Sequence, residues 1–305
     1  MSVNRTLLVV GYGSLLSGYG LMAERRGGGS KLLARDAWPV VIQNAQRGLA
    51  KPSSHGSYLA MDLEPLDPTE PIKVRVTRGR QSLNDNPHEV GGLLLEFEAE
   101  WAARISTREE YDSGNFLRLL DLAERAGRPL GEYLLAIAQT AAFNLDAYRR
   151  ELYAILGYTS HGYIFHPIPL DDGRVAIAAI GSGFHFSGHP EVISKRREFN
   201  MDKLLNCGEA LALTHLPMDR EGQIGYFAEC LLGGVHGVAI GDLMASFDTD
   251  APWAGDLARH FRRAAEGERE RFLRATSLDE RTYLERFGDS PAPSLAPLLK
   301  LASNG

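Results

Sequence analysis

Thr6-Leu7-Leu8-Val9-Val10-Gly11-Tyr12-Gly13-Ser14-Leu15-Leu16 decides how the chain is read. A short run of β-branched and aliphatic residues stops at a glycine, which predicts a buried strand. Behind it, glycines spaced by one residue permit a tight turn with unusual backbone angles, leaving amide N–H groups to face one spot. Such a nest suits a carboxylate or a developing oxyanion. Two nucleotide readings fail on spacing. A dinucleotide fingerprint needs a glycine where Leu16 stands, and the next glycine is Gly18. A phosphate loop needs a Gly-Lys-Ser/Thr ending, whereas Gly27-Gly28-Gly29-Ser30-Lys31 has the wrong order and follows no strand. A plain strand-to-loop turn without function remains open on these residues alone.

Working outward, Trp38 to Gln43 and Gly91 to Phe97 repeat the strand pattern, and Ser57 to Leu63 alternates well enough to join them. Segment 64–90 is rich in Pro, Asp, Asn and Arg and reads as a surface excursion whose core, Lys73 to Thr77, forms an exposed strand or hairpin arm. Helical spacing begins at Trp101 and continues over 117–156, broken at Gly127-Arg128-Pro129. Leu130, Leu134, Ile137 and Ala141 fall on one helical face. Tyr163 to Ile168 and Val175 to Ile180 form a hairpin around Asp171-Asp172-Gly173. These strands are expected to complete the first sheet, because four short strands alone close a barrel poorly. Gly181 to Pro190 is a Gly/His-rich loop, 192–215 is helical, and Ala254 to Arg286 is charged and helical. The last fifteen residues, with three prolines, are expected to be loosely held.

The expected fold class is therefore α/β (α+β), with a barrel unit over 1–185 that carries a helical insertion at about 118–160, and a mainly helical region over 186–305. Composition fits a core-forming chain, at 44% hydrophobic and 24% charged residues. A net charge of −6 without a basic run argues against nucleic acid or an anionic membrane as partner. Two cysteines, Cys207 and Cys230, are too few for a disulfide framework and point to a reducing compartment. The apolar run Leu7–Val10 is too short for a signal core or a membrane span, so a cytoplasmic location is expected.

A strand followed by Tyr12-Gly13-Ser14-Leu15 at the N-terminus resembles the signature of the γ-glutamylcyclotransferase-like superfamily. A second element resembles it too: after the Gly91–Phe97 strand, Ile105 stands before Glu109 with three residues between them, and Ser113-Gly114-Asn115-Phe116 lies where the family often has Ser-Gly-x-Tyr. Trp38 to Ala50 and Ser57 to Pro65 fall where the family places its second and third strands. The likeness covers about residues 5–120. It implies a small mixed β-barrel, Glu109 as general acid/base, and a substrate grip formed by Tyr12, Gly13, Ser14, Leu15 and Phe116. The family glutamate is commonly followed by glycine; here Glu110 follows, and a one-residue shift would make Glu110 the base. Phe116 lacks the hydroxyl of the family tyrosine. Members of this superfamily are much shorter, and the C-terminal half has no counterpart in the resemblance.

The implied reaction needs little machinery. The α-amine of a γ-glutamyl amide attacks its own side-chain carbonyl, releasing 5-oxoproline and a free amine, so neither a metal nor an organic cofactor is expected. A partly apolar wall, for which Ile105, Tyr12 and Phe116 are candidates, would raise the pKa of the glutamate. Glutathione, a dipeptide, a polyamine or an antibiotic intermediate remain open as substrate, and oligomeric state has no signature. A non-catalytic small-molecule binding module, or a related acyl or amine transferase, are the alternatives on one scaffold. Other clusters carry less. His161, His166, His185 and His189 with Glu191 lack a His-Glu-x-x-His pattern for zinc. Cys230 with His236 reads as a buried thiol, Lys195-Arg196-Arg197 as a solvated face, and 255–275 as an amphipathic surface helix.

Overall fold

A computed structural model describes residues 6–22, 31–52, 59–77, 85–102, 104–105, 113–157, 163–181, 219–245 and 247–303. The chain is mixed α+β. Its strands are β1 (Thr6–Gly11), β2 (Asp36–Gln43), β3 (Ala45–Pro52), β4 (Leu59–Pro65), β5 (Lys73–Val76), β6 (Val90–Glu98), β7 (Tyr163–Pro169) and β8 (Val175–Gly181). The helices are α1 (Gly18–Met22), α2 (Ser113–Arg125), α3 (Leu130–Thr140), α4 (Leu145–Leu156), α5 (Arg220–Leu231), α6 (Gly241–Met244), α7 (Ala254–Ala265), α8 (Glu268–Thr276), α9 (Glu280–Phe287) and α10 (Ala296–Ser303).

Six strands form one mixed sheet in the order β5-β2-β6-β1-β8-β7. β1 is antiparallel to β6, from Thr6 opposite Glu98 to Gly11 opposite Leu93, and parallel to β8 at Val9 and Ile177. The β7–β8 hairpin thus extends the sheet begun by the N-terminal strands. The sheet curls until its edges touch at a parallel bridge between Val74 and Leu170. Because β1, β2 and β8 run in one direction, their last residues, Gly11, Gln43 and Gly181, gather at the same end.

The stretch 38–50 is divided at Asn44, whose φ of 55° breaks the strand. β2 stays in the main sheet, while β3 pairs with β4 as a separate hairpin. The outer edge of β4 meets side chains instead of another strand. Gln223 takes both the N–H and the C=O of Leu59, Tyr226 Oη accepts from Met61 N–H at 2.8 Å, and Tyr163 Oη donates to the Met61 carbonyl at 2.7 Å. Buried backbone polar groups are satisfied in this way without a further strand.

Three expectations change. Segment 73–77 is an edge of the main sheet, with Val74 and Thr77 buried, because β5 pairs with β2. The 255–275 stretch is two helices separated by Gly267 at φ 66°, and its Glu268 is buried. Of the last fifteen residues, 291–303 are described and packed, with Leu295 and Leu298 fully buried against the helices. A continuous set of buried apolar side chains runs from Leu7 in β1 to Ala302 in α10. No helix among the described residues is long and apolar enough to cross a membrane. The predicted 181–190 loop beyond Gly181, the 192–215 helix, His161, His185, His189, Glu191, Lys195–Arg197 and Cys207 lie outside the described residues.

Candidate functional site

At Gly11 the chain leaves β1 and tightens into a 3₁₀ turn over Ser14–Leu16. The first two carbonyls of this turn are engaged. Tyr12 C=O accepts from Arg47 Nη1 at 2.9 Å, and Gly13 C=O accepts from Leu16 N–H at 3.0 Å. Ser14 C=O lies so close to Gly20 that a Cβ there would sit 1.7 Å from the oxygen, a spacing only glycine allows. A trans peptide places N–H opposite C=O, and no described peptide is cis. The N–H groups of Gly13, Ser14 and Leu15 therefore point away from these engaged carbonyls. Among the described residues, neither Gly13 N–H nor Leu15 N–H meets an acceptor. Amides turned this way make the anion-seeking arrangement expected of the glycine pattern.

The turn is held from distant parts of the chain. The Arg47 guanidinium, with no exposed side-chain surface, is bound at both ends. Nη1 also donates to Gly91 C=O at 2.9 Å, while Nε and Nη2 form a bidentate pair with Asp242 at 2.6 Å each. On the other side, Glu268 accepts from Gly18 N–H at 2.6 Å and Tyr19 N–H at 2.9 Å, at the start of α1. His236 Nε2 lies 2.9 Å from Glu268 Oε1, and its Nδ1 lies 2.9 Å from Tyr283 Oη. Burial pushes the Tyr283 phenol up to about 12, so it remains a neutral hydroxyl.

Tyr12 and Phe116, paired by the resemblance, reach the same rung of the β7–β8 ladder. Tyr12 Oη donates to Ala179 C=O, and Phe116 packs its ring 4.6 Å from that of Phe165, the cross-strand partner of Ala179. Tyr12, Phe116 and Ile105 are all buried, and so is Ser14 at 8% exposure. Glu109 and Glu110 lie outside the described residues, between Ile105 and α2. At the same sheet end, Asp62 Oδ1 accepts from Gly181 N–H at 2.7 Å, and Arg149 Nη2 donates to Gly181 C=O at 2.5 Å. Lys51 is buried, its ammonium 4.3 Å from the centre of the Tyr163 ring.

The sequence reading missed Arg47, Lys51, Asp62 and Asp242, and it placed Glu268 on an amphipathic surface helix. Asp62 carried a signal, a carboxylate inside the apolar run Leu59-Ala60-Met61-Asp62-Leu63. Glu268 carried none, since charged residues follow it on all sides of its helix. Of the clusters set aside, Cys230 is a buried free thiol, and His236 is committed to Glu268 and Tyr283. His166 is buried in β7, and desolvation, aided by nearby Arg149, lowers its pKa to about 3. No group of three metal-ligating side chains occurs among the described residues.

An open cleft of about 800 Å³ lies at the opposite end of the sheet, lined in part by Trp38, Leu170, Asp172, Arg174 and Arg286. Its basic groups are already matched, Arg174 to Asp172 and Arg286 to Asp36 across the Trp38 ring. The turn after β1 has the stronger chemistry, because oriented amides and buried ionisable groups converge there. Comparison with known proteins adds no relative: no family model, no curated protein and no solved structure matches this chain.

Proposed function

We propose that this chain is a γ-glutamylcyclotransferase-like enzyme on a barrel of that type, cleaving a γ-glutamyl amide to 5-oxoproline and a free amine. The observation that carries the reading is the Tyr12–Leu16 turn, whose Tyr12 and Gly13 carbonyls are engaged and whose Gly13–Leu15 amides each point away from the carbonyl they are joined to, at the end of β1. The curled six-stranded sheet and the bridge between its edges support the barrel.

The α-amine nitrogen attacks the side-chain carbonyl carbon, and the negative charge that develops on oxygen is met by the Gly13–Leu15 amides. Collapse breaks the bond to the leaving nitrogen. Glu109 takes the two protons that the α-ammonium nitrogen sheds on becoming the ring amide, one before attack and one after it, and passes each to the departing nitrogen, which leaves as an ammonium, so the site is unchanged after turnover. Holding amine and carbonyl together supplies on the order of 7–11 kcal/mol in good intramolecular cases, which leaves one carboxyl enough to do.

The test is 5-oxoproline release over a panel of γ-glutamyl amides, with Glu109→Gln and Glu110→Gln beside the wild type. Release that fails only in Glu109→Gln supports the proposal. Release that fails only in Glu110→Gln moves the base by one residue. No release from a folded chain that still binds γ-glutamyl ligands favours the binding-module alternative.

A further inference from the structure

We infer that Arg47 and Asp242 are positioning residues for the anion-binding turn, so that the C-terminal half forms part of the site's machinery. The inference rests on the function proposed above for its kinetic arm and on geometry alone for its other arm. Arg47 comes from β3 and Asp242 from α6, 195 positions apart. Arg47 lies within the 5–120 likeness but outside the motif at the turn, and Asp242 lies outside the likeness altogether.

The peptide between Tyr12 and Gly13 is the one whose N–H begins the nest. Its direction is fixed by whatever holds its carbonyl, because the two groups are antiparallel in a trans peptide. Arg47 Nη1 is that holder, at 2.9 Å, and the same nitrogen reaches Gly91 C=O in β6. The guanidinium can serve two carbonyls only while its plane is fixed. Asp242 fixes it, through a two-point contact at 2.6 Å on Nε and Nη2. A planar fork held at both ends has little freedom to tilt, unlike a single-point ammonium. Ala239 C=O, 3.4 Å from Nη2, closes the remaining side. Gly13 is itself boxed in, with Met61 Cβ 3.0 Å and Tyr226 Oη 3.2 Å from where its Cβ would stand. The direction of its amide is therefore set by carbonyl capture on one side and by hairpin and helix packing on the other.

Such an arrangement affects the transition state more than the ground state. A misdirected amide loses contact with the oxyanion as charge develops, while the rest of the substrate grip is untouched. Arg47→Lys keeps the charge and removes the fork, and Asp242→Asn keeps the shape and places a donor against Nη2 or Nε.

Backbone amide exchange and steady-state kinetics of both variants, in the full chain, test the inference. The expected exchange result is at least tenfold faster exchange within residues 11–17, with β1, β6 and the β3–β4 hairpin unchanged. The expected kinetic result is a fall in kcat of tenfold or more, toward the hundredfold loss typical of an oxyanion donor, with KM within about threefold. Unchanged exchange in the turn overturns the inference, as does faster exchange spread evenly over the sheet and hairpin. A rise in KM at constant kcat also overturns it, since that marks a substrate contact. If the wild type releases no 5-oxoproline, the proposed function fails, and the exchange arm decides the inference alone.

Discussion

Replacing Glu268 with Ala tests whether a glutamate in a run of charges is a core residue. The Glu268 carboxylate is 1% exposed and accepts from Gly18 N–H, Tyr19 N–H and His236. Alanine would leave all of these buried groups without their partner. An orphaned buried donor costs about 1–3 kcal/mol, and breaking a buried charge contact costs about 3–5 kcal/mol in all. We take about 3–5 kcal/mol, a large share of the 5–15 kcal/mol typical of folded chains. At roughly 2 °C per kcal/mol, suited to a long chain, the midpoint should fall by about 6–10 °C. Glu270, two residues on in the same helix, has a side chain 77% exposed and serves as the control. Differential scanning calorimetry of Glu268→Ala and Glu270→Ala at neutral pH makes the comparison. Glu270→Ala should leave the midpoint unchanged. A Glu268→Ala midpoint within about 1 °C of the wild type would refute the reasoning, because it would mean the carboxylate is not holding the start of α1.

Three further perturbations follow from packing and from burial. Gly20→Ala would place a methyl 1.7 Å from the Ser14 oxygen and should disorder the turn, seen as lost stability and lost activity together. Gly255→Ala in α7 meets nothing within 4 Å and should raise stability by about 0.4–1 kcal/mol through helix propensity. His166 stays neutral when folded down to about pH 3, whereas unfolded it takes a proton near its ordinary 6.5. Between these values the unfolded chain binds the extra proton, so stability falls as pH falls, by up to about 1.4 kcal/mol per pH unit. Urea denaturation of His166→Leu at pH 7 and pH 5 should show about 2 kcal/mol less acid loss than the wild type. An equal loss in both chains would show that His166 does not set this slope.

Local pattern carried much of the architecture. The apolar run ending at Gly11 marked β1, and Asp171-Asp172-Gly173 marked the β7–β8 hairpin, because both signals act over neighbouring residues. The helices over 113–156 were visible for the same reason, with Leu130 and Leu134 on the buried face. Where the reading departed from the structure, the deciding forces came from elsewhere in the chain. Asn44 splits the 38–50 stretch, yet what separates β3 from the sheet is its pairing with β4 and the side chains of α5. β5 belongs to the sheet because β2 offers an edge to it.

The same division holds at the candidate site. The sequence by itself set the turn, since Gly11-Tyr12-Gly13 after an apolar run specifies a tight bend whose amides can be turned toward one spot, through backbone chemistry alone. Tertiary structure decided which way those amides face. That direction depends on Arg47, Asp242 and Glu268, which reach the turn and the start of α1 from 35 to 250 positions away. Surface and core glutamates look alike in a string of charges, as Glu268 and Glu270 do. The difference is burial, which exists only once α8 packs against α1 and excludes water from one of them.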